Sequence, residues 1–155
     1  TEVGRRLRSP VQMMHLRHGI FDEGNISLIT SVTVDEIGRL AAQPPDVRRF
    51  RPNILMTSLR SVPFEEDEWV GGVLSFGEGN EGAAMAITMR DERCSMVNFE
   101  PGSARSDAEV LKAIVRTRNN KAGIYGTVTR CGRLSPGQPI LFEPAAEPRN
   151  QSPVD

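Results

Sequence analysis

Short apolar runs of four to eight residues, separated by turns that contain Gly and Pro, recur along the whole chain. Runs of this length between turn residues are typical of β-strands. The clearest period of two lies in residues 123–130, where an aliphatic and glycine row alternates with a row of Tyr and Thr. The pattern predicts strands at residues 11–16, 25–29, 53–56, 73–76, 83–89, 94–99, 123–130 and 139–142.

Two segments carry apolar residues at helical spacing instead. In the first, Thr33 and Glu36 match the capping-box pattern, and Val34 and Ile37 follow on one helical face before a Pro-Pro pair. The second is predicted to begin at Ser106 as its N-cap, and it collects basic residues near its end, where they suit the helix dipole. Many short strands with two helices predict a mainly β fold, either a β-barrel or a strongly bent sheet with the helices at its rim.

The length of 155 residues allows one domain with a substantial core and is short for two. We expect a single domain over residues 1–142. Residues 143–155 are rich in Pro and polar side chains, and we expect them to form a disordered tail.

Charge and hydropathy exclude several classes of protein. The net charge of −1, from 19 basic and 20 acidic residues, argues against a nucleic-acid binder. No apolar run approaches the roughly 20 residues that cross a bilayer, and no signal-peptide pattern is present. Two cysteines make no disulfide framework, so we expect a cytoplasmic protein.

Cys94 is the residue with the most distinctive chemistry, because it follows Arg93 at the end of an apolar run. A neighbouring cation favours the thiolate, which is the form that binds metals or carries sulfane sulfur, and thiolates suit soft metal sites. Free cysteine is also among the most buried residue types. The residues alone therefore leave three interpretations of Cys94: a metal ligand, a sulfur carrier or a small buried side chain.

Two pairs of polar residues are candidates for binding an anion or a cofactor. Arg51 can hold phosphate through its guanidinium fork, and Asn53 offers both a donor and an acceptor. Thr30 and Ser31 precede the first predicted helix, where hydroxyl and backbone N–H groups suit an anion. Ordinary helix capping is the alternative for the second pair, and a solvated basic surface is the alternative for Arg51.

Other charged groups are expected to be structural or solvated. We expect Arg48 and Arg49 to form a solvated basic face, and the acidic run at residues 65–68 to be a solvated loop anchored by a buried Trp69. The two histidines and two cysteines match no zinc-site spacing. No nucleotide-binding or nucleophile-elbow motif is present.

Several segments, taken in order, resemble one known family. They read RFRPNI at 49–54, FEEDEWVG at 64–71, RCSM at 93–96, GIYG at 123–126 and GRLSPGQP at 132–139. Over residues 25–142 this series resembles the MOSC domain, named for the C-terminal domain of molybdenum cofactor sulfurases. Within that family it is most similar to the branch of the mitochondrial amidoxime-reducing component and its bacterial relatives. That branch also carries a preceding β-rich region with a Tyr-Pro-Val-Lys-Ser motif, which we expect this chain to lack, and a small residue in place of Glu92.

The resemblance implies a barrel fold and a molybdenum-pterin cofactor, with no pyridoxal phosphate in this chain. It implies that Cys94 ligates the molybdenum and is the catalytic residue, while Arg51 and Asn53 contact the pterin or its phosphate. The full set of expected cofactor-binding residues is Arg51, Asn53, Arg93, Thr30 and Ser31.

The leading hypothesis is therefore a protein that binds this cofactor and, if it is an enzyme, reduces N-hydroxylated substrates with electrons from an external donor. The second is a sulfur-transfer module that carries a Cys94 persulfide supplied by a cysteine desulfurase. The third is a non-catalytic barrel that forms homo-oligomers. None of the three involves nucleic acid or a membrane.

Overall fold

A computed structural model describes Arg5, Arg8 and residues 24–78 and 82–145 of the chain. In these ranges the strands are β1 (Ile26–Thr30), β2 (Ile54–Met56), β3 (Val73–Phe76), β4 (Ala84–Glu92), β5 (Lys121–Arg130) and β6 (Ile140–Glu143). The helices are α1 (Ser31–Ala41) and α2 (Glu109–Arg118), with shorter 3₁₀ helices at Val47–Arg49, Glu65–Trp69 and Ser95–Asn98. The predicted strand at 11–16, both histidines and most of the predicted tail lie outside the described residues.

The six strands form one sheet in the order β2-β1-β5-β4-β3-β6. β1 and β2 are parallel and are connected through α1, whereas all other neighbouring strands are antiparallel. The ladder between the long strands β4 and β5 shifts register at three points. Such bulges bend and twist strands, and the sheet curls into a half-barrel with β2 and β6 at its edges. The prediction of a mainly β fold with two helices is confirmed.

Two apolar clusters occupy opposite faces of this sheet. Ile29 belongs to the cluster under α1 and α2, and its neighbour Leu28 belongs to the cluster that contains Trp69. Successive strand residues point to opposite faces, so β1 contributes to both clusters. The predicted burial of Trp69 is confirmed, since its side chain packs in the second cluster.

β5 departs from this regular alternation at Gly123. Ala122 packs in the helix-side cluster and Ile124 in the other, although residues two apart in a regular strand share a face. Gly123 between them has a φ of +82°, which glycine adopts without a steric penalty. The ladder with β4 is irregular at the same level. The glycine therefore lets β5 contribute side chains to both apolar clusters.

Three local predictions are wrong. Residues 94–99 form a 3₁₀ helix at Ser95–Asn98 rather than a strand. The N-cap of α1 is Thr30, whose hydroxyl accepts a hydrogen bond from the Thr33 N–H, so Thr33 lies inside the helix. Ser106 does not cap α2, whose N-cap is Ala108, a residue without a capping side chain. Asp107 Oδ1 instead accepts a hydrogen bond from the Glu109 N–H at 3.0 Å.

None of the helices in the described ranges is long and apolar enough to cross a lipid bilayer.

Candidate functional site

Cys94 lies on the surface, two residues after the end of β4. Its backbone is extended, with φ −99° and ψ 178°, and it precedes the 3₁₀ helix at Ser95–Asn98. The N–H of Arg93 donates to the Asn120 carbonyl at 2.9 Å, which holds this end of β4 against the turn before β5. The interpretation of Cys94 as a small buried side chain is therefore wrong, because the thiol belongs to an exposed residue.

Arg93, by contrast, is almost fully buried, with 8% of its surface exposed. Its Nε donates to the Ala122 carbonyl at 2.7 Å, and its Nη1 donates to the Phe50 carbonyl at 2.9 Å. Its Nη2 lies 2.8 Å from Oδ2 of buried Asp91, and its guanidinium carbon lies 5.4 Å from the centre of the Phe50 ring. Burial lowers the pKa of the Arg93 guanidinium, and the charge of Asp91 opposes that shift. All three nitrogens are thus directed to protein groups.

These contacts make Arg93 the link between three separate sequence segments. They join the segment that carries Cys94 to the loop that carries Arg51 and to the start of β5. A Cβ on Gly123 would lie 2.8 Å from the Leu28 carbonyl oxygen and 3.0 Å from Arg93 Nη2. Glycine at this position therefore leaves the space that the guanidinium occupies.

A second arginine joins the same two loops. Arg49 is half-buried, and its Nη1 donates to the carbonyls of Val97 and Asn98 at 3.3 and 3.1 Å. The expectation of a solvated Arg49 is wrong. The segment at 47–53 is consequently held against the 3₁₀ helix that follows Cys94.

Arg51 combines exposure with an unusual backbone. Its φ is +51°, in the left-handed region that non-glycine residues rarely adopt and that concentrates at functional sites. The side chain is exposed and makes no hydrogen bond or ion pair with any residue that the structure describes. Its guanidinium is therefore available to an anion.

Asn53 is anchored through one end of its side chain. Its Oδ1 accepts hydrogen bonds from the N–H and the hydroxyl of Ser27 at 2.9 and 3.1 Å, and its own N–H donates to the Ser27 carbonyl at 3.0 Å. Its Nδ2 has no partner in the described part of the chain. The amide donors are thus free, two residues from Arg51.

Thr30 lies in a different setting from the residues above, and Ser31 is the half-buried first residue of α1. Thr30 is fully buried, and its N–H and hydroxyl donate to the two carboxylate oxygens of Glu66 at 3.2 and 3.0 Å. The Thr33 hydroxyl donates to the same carboxylate at 2.9 Å and accepts from the Phe64 N–H at 2.7 Å. The anion at the start of α1 is therefore the protein's own Glu66, and Thr30 has no free hydroxyl for a cofactor.

The acidic run is not the solvated loop that the sequence suggested. Glu65 and Glu66 are buried, and burial raises the pKa of Glu66 above its ordinary value of 4.5. Asp67 pairs with Arg118, whose guanidinium carbon lies 4.3 Å above the Phe64 ring, and with Arg90 at 3.4 Å. Four consecutive acids suggested solvation, and nothing in the sequence pairs them with residues 23 and 51 positions away.

The structure thus links Cys94, Arg51 and Asn53 on exposed segments tied together through Arg93, and it separates Thr30 from them by burial. The described residues contain no group of three or more His, Cys, Asp or Glu side chains that could hold a metal. A cofactor that brings its own sulfur ligands needs only one protein thiolate, which Cys94 can supply. The donor set of one thiol, with one guanidinium and one amide that have no partner among the described residues, is compatible with an anionic cofactor of that kind.

A comparison with family models decides the family. The model of the MOSC domain matches residues 15–141. The chain belongs to the MOSC domain family. No curated protein matches this MOSC chain in sequence.

Two solved structures share its fold. The YuaD protein from Bacillus subtilis is 17% identical with a TM-score of 0.52, over 79% of this chain and 62% of its own. YiiM from Geobacillus stearothermophilus is 21% identical with a TM-score of 0.54, over 76% of this chain and 53% of its own. The MOSC chain described here therefore spans less than two thirds of either structure, and these identities support the fold alone.

Proposed function

We propose that this MOSC domain binds the molybdenum-pterin cofactor and that Cys94 supplies the protein sulfur ligand. The observation that carries the proposal is the exposed Cys94 thiol, tied through Arg93 to the loop that presents the exposed Arg51. Family membership supplies the class of cofactor. When bound, the cofactor supplies redox chemistry at molybdenum, and we propose the reduction of N-hydroxylated compounds with electrons from an external donor.

Each residue has a separate role in this proposal. Cys94 offers a soft ligand in its thiolate form. Arg51 binds the phosphate through its guanidinium fork, and the Asn53 amide donates to a polar edge of the pterin. Arg93 makes no contact with the cofactor, because its nitrogens are used within the protein, and it holds the Cys94 and Arg51 segments in place.

The two cysteines provide a matched pair of variants, because both are exposed and only Cys94 belongs to the proposed site. The protein is expressed in a host that makes the cofactor, and molybdenum per chain is measured by elemental analysis. We expect wild type and Cys131→Ser to retain molybdenum, and Cys94→Ser to lose at least about 90% of it, because one thiolate anchors the metal. Equal molybdenum in Cys94→Ser and Cys131→Ser would refute the ligand assignment.

The exposed thiol also supports sulfur transfer as a second function. In that reaction the Cys94 thiolate attacks the terminal sulfur of a desulfurase persulfide. The Cys94 persulfide forms and the desulfurase thiolate leaves. A mass increase of about 32 Da on wild type and Cys131→Ser but not on Cys94→Ser, in protein that binds no molybdenum, would favour this function over the first.

A further inference from the structure

A cleft of about 680 Å³ lies beside the central strands β4 and β5 and the 3₁₀ helix at Glu65–Trp69. Clefts that bind small molecules commonly have volumes of roughly 300–1,000 Å³. The residues that matter in its lining are Asp67, Val70, Met89, Arg90, Glu92 and Lys121. Cys94 is not part of the lining, and the cleft ends two residues before it at Glu92.

A lysine and a glutamate of opposite charge line this cleft and form no ion pair with each other. Lys121 and Glu92 are register partners on neighbouring strands, yet Lys121 has no ion pair in the part of the chain that the structure describes. Glu92 accepts one long hydrogen bond, from Asn120 Nδ2 at 3.3 Å. One ammonium and one carboxylate are therefore both available to a ligand.

The other charged groups extend the same arrangement. Arg90 is 37% exposed and reaches Asp67 Oδ2 only at 3.4 Å, so most of its N–H donors have no acceptor within the described ranges. Asp67 Oδ2 also pairs with Arg118, but Asp67 Oδ1 is buried and accepts no hydrogen bond from the described residues. Because this oxygen is buried, a ligand in the cleft does not contact it, and Asp67 contributes to the cleft by holding Arg90.

Apolar side chains form the rest of the wall. Val70 and Met89 are each 40% exposed. Both line the cleft. A ligand with an aliphatic or aromatic part would remove this apolar surface from water, which is favourable.

We propose that this cleft binds a small zwitterion of the α-amino acid class with an apolar side chain. The ligand carboxylate pairs with Lys121 and Arg90, its ammonium pairs with Glu92, and its side chain contacts Val70 and Met89. A simple anion would leave Glu92 unmatched, and a simple cation would leave Lys121 unmatched. The site is independent of the cofactor proposal, because it includes neither Cys94 nor Arg51.

Three probes of nearly equal shape test the charge pattern. L-Leucine carries both charges, 4-methylpentanoate lacks the ammonium and 3-methylbutylamine lacks the carboxylate. Binding to the full chain is measured by titration calorimetry, with NMR shifts of the Met89 methyl group locating the site. We expect leucine to bind at least about tenfold more tightly than either probe with a single charge, because each lacks one charge-assisted contact.

Paired variants separate the two charges. Glu92→Gln should weaken leucine about tenfold and leave 4-methylpentanoate unchanged, whereas Lys121→Met should weaken both. Glu109→Gln and Lys112→Met, which change an exposed ion pair on α2 away from the cleft, should change neither. Cys94→Ser should keep leucine binding even where it loses molybdenum, so the two proposals can fail separately.

Three results would overturn the zwitterion site. They are the absence of leucine binding at millimolar concentration, an equal affinity for 4-methylpentanoate, and an unchanged leucine affinity in Glu92→Gln. The second of these would indicate an anion site formed by Lys121 and Arg90 instead.

Discussion

At the level of single residues, Arg93 and Cys94 have different roles although they belong to one motif. They are adjacent, but the arginine is buried in contacts with the protein and the cysteine is exposed. Because the backbone is extended here, neighbouring side chains point to opposite sides. The cation that marks the thiol in the sequence is therefore a structural group, and its bonds to Phe50 and Ala122 align the segments around the thiol.

The buried pair of Arg93 and Asp91 predicts a large effect on stability. Arg93→Met should lower the free energy of unfolding by about 3–5 kcal/mol, because it removes the cation that pairs with the buried Asp91 carboxylate. Adding Asp91→Asn to that variant should restore part of the loss. Urea unfolding measures both changes. Arg116→Met, on the exposed face of α2, is the control, and a loss as small as the control shows would contradict the role given to Arg93.

At the scale of elements, the start of α1 and the 3₁₀ helix at Glu65–Trp69 are joined through one carboxylate. Glu66 accepts hydrogen bonds from Thr30 and Thr33, and Thr33 in turn accepts from the backbone of Phe64. A carboxylate at a helix N-terminus is stabilised by the helix dipole and the free N–H groups. Burial opposes the charge and is the larger influence on its pKa.

The raised pKa of Glu66 predicts the sign of a pH dependence. The pKa of Glu66 is higher in the folded state than its ordinary value of 4.5, which applies to the unfolded state, so the folded state binds this proton more tightly. The contribution of the protonated Glu66 to the free energy of unfolding is therefore complete below pH 4.5 and is lost as the pH rises through the folded-state pKa. Each unit of separation between the two pKa values corresponds to about 1.4 kcal/mol.

Glu66→Gln removes this titration. Over a pH range that begins below 4.5 and extends above it, the free energy of unfolding of wild type should fall relative to that of Glu66→Gln as the pH rises. Urea unfolding across the range gives the difference. Glu68→Gln, in the same 3₁₀ helix but exposed, should show no such trend. A wild type that gains stability over Glu66→Gln with rising pH would reverse the sign and contradict the argument.

At the scale of the whole molecule, one curled sheet carries an apolar cluster on each face. Trp69, the single tryptophan, belongs to one cluster, and both helices pack over the other. β1 and β5 contribute side chains to both clusters, through regular alternation in β1 and through Gly123 in β5. The two cores are therefore coupled through shared strands.

This coupling predicts a single cooperative transition. Ile114→Ala in the helix-side core should cost about 2–5 kcal/mol. It should shift the Trp69 fluorescence transition and the helical circular-dichroism transition by the same amount, although Trp69 lies in the other cluster. Val115→Ala, at an exposed neighbouring position, should change stability by less than about 0.5 kcal/mol. Two separate transitions in Ile114→Ala would show that the faces unfold independently.

The mainly β fold, both helices and the family motifs could be predicted from the sequence, and so could five of the six described strands closely, because these depend on local periodicity and on short segments. The sequence also singled out Cys94 and Arg51, whose residue types and neighbours carry their chemistry. It misjudged the 94–99 segment, since a short apolar run has the same pattern in a strand and in a 3₁₀ helix.

Which charges are buried and which side chains are exposed depends on contacts between segments that are far apart in sequence. Glu66 is buried where Thr30 and Thr33, distant in sequence, donate hydrogen bonds to its carboxylate, and Asp67 pairs with Arg118. Arg93 is buried and Arg51 is exposed because strand order and register determine which groups surround each side chain. No local sequence pattern encodes that order or register. In that arrangement Cys94 is exposed, and the buried Arg93 next to it fixes the position of its segment through hydrogen bonds to Phe50 and Ala122.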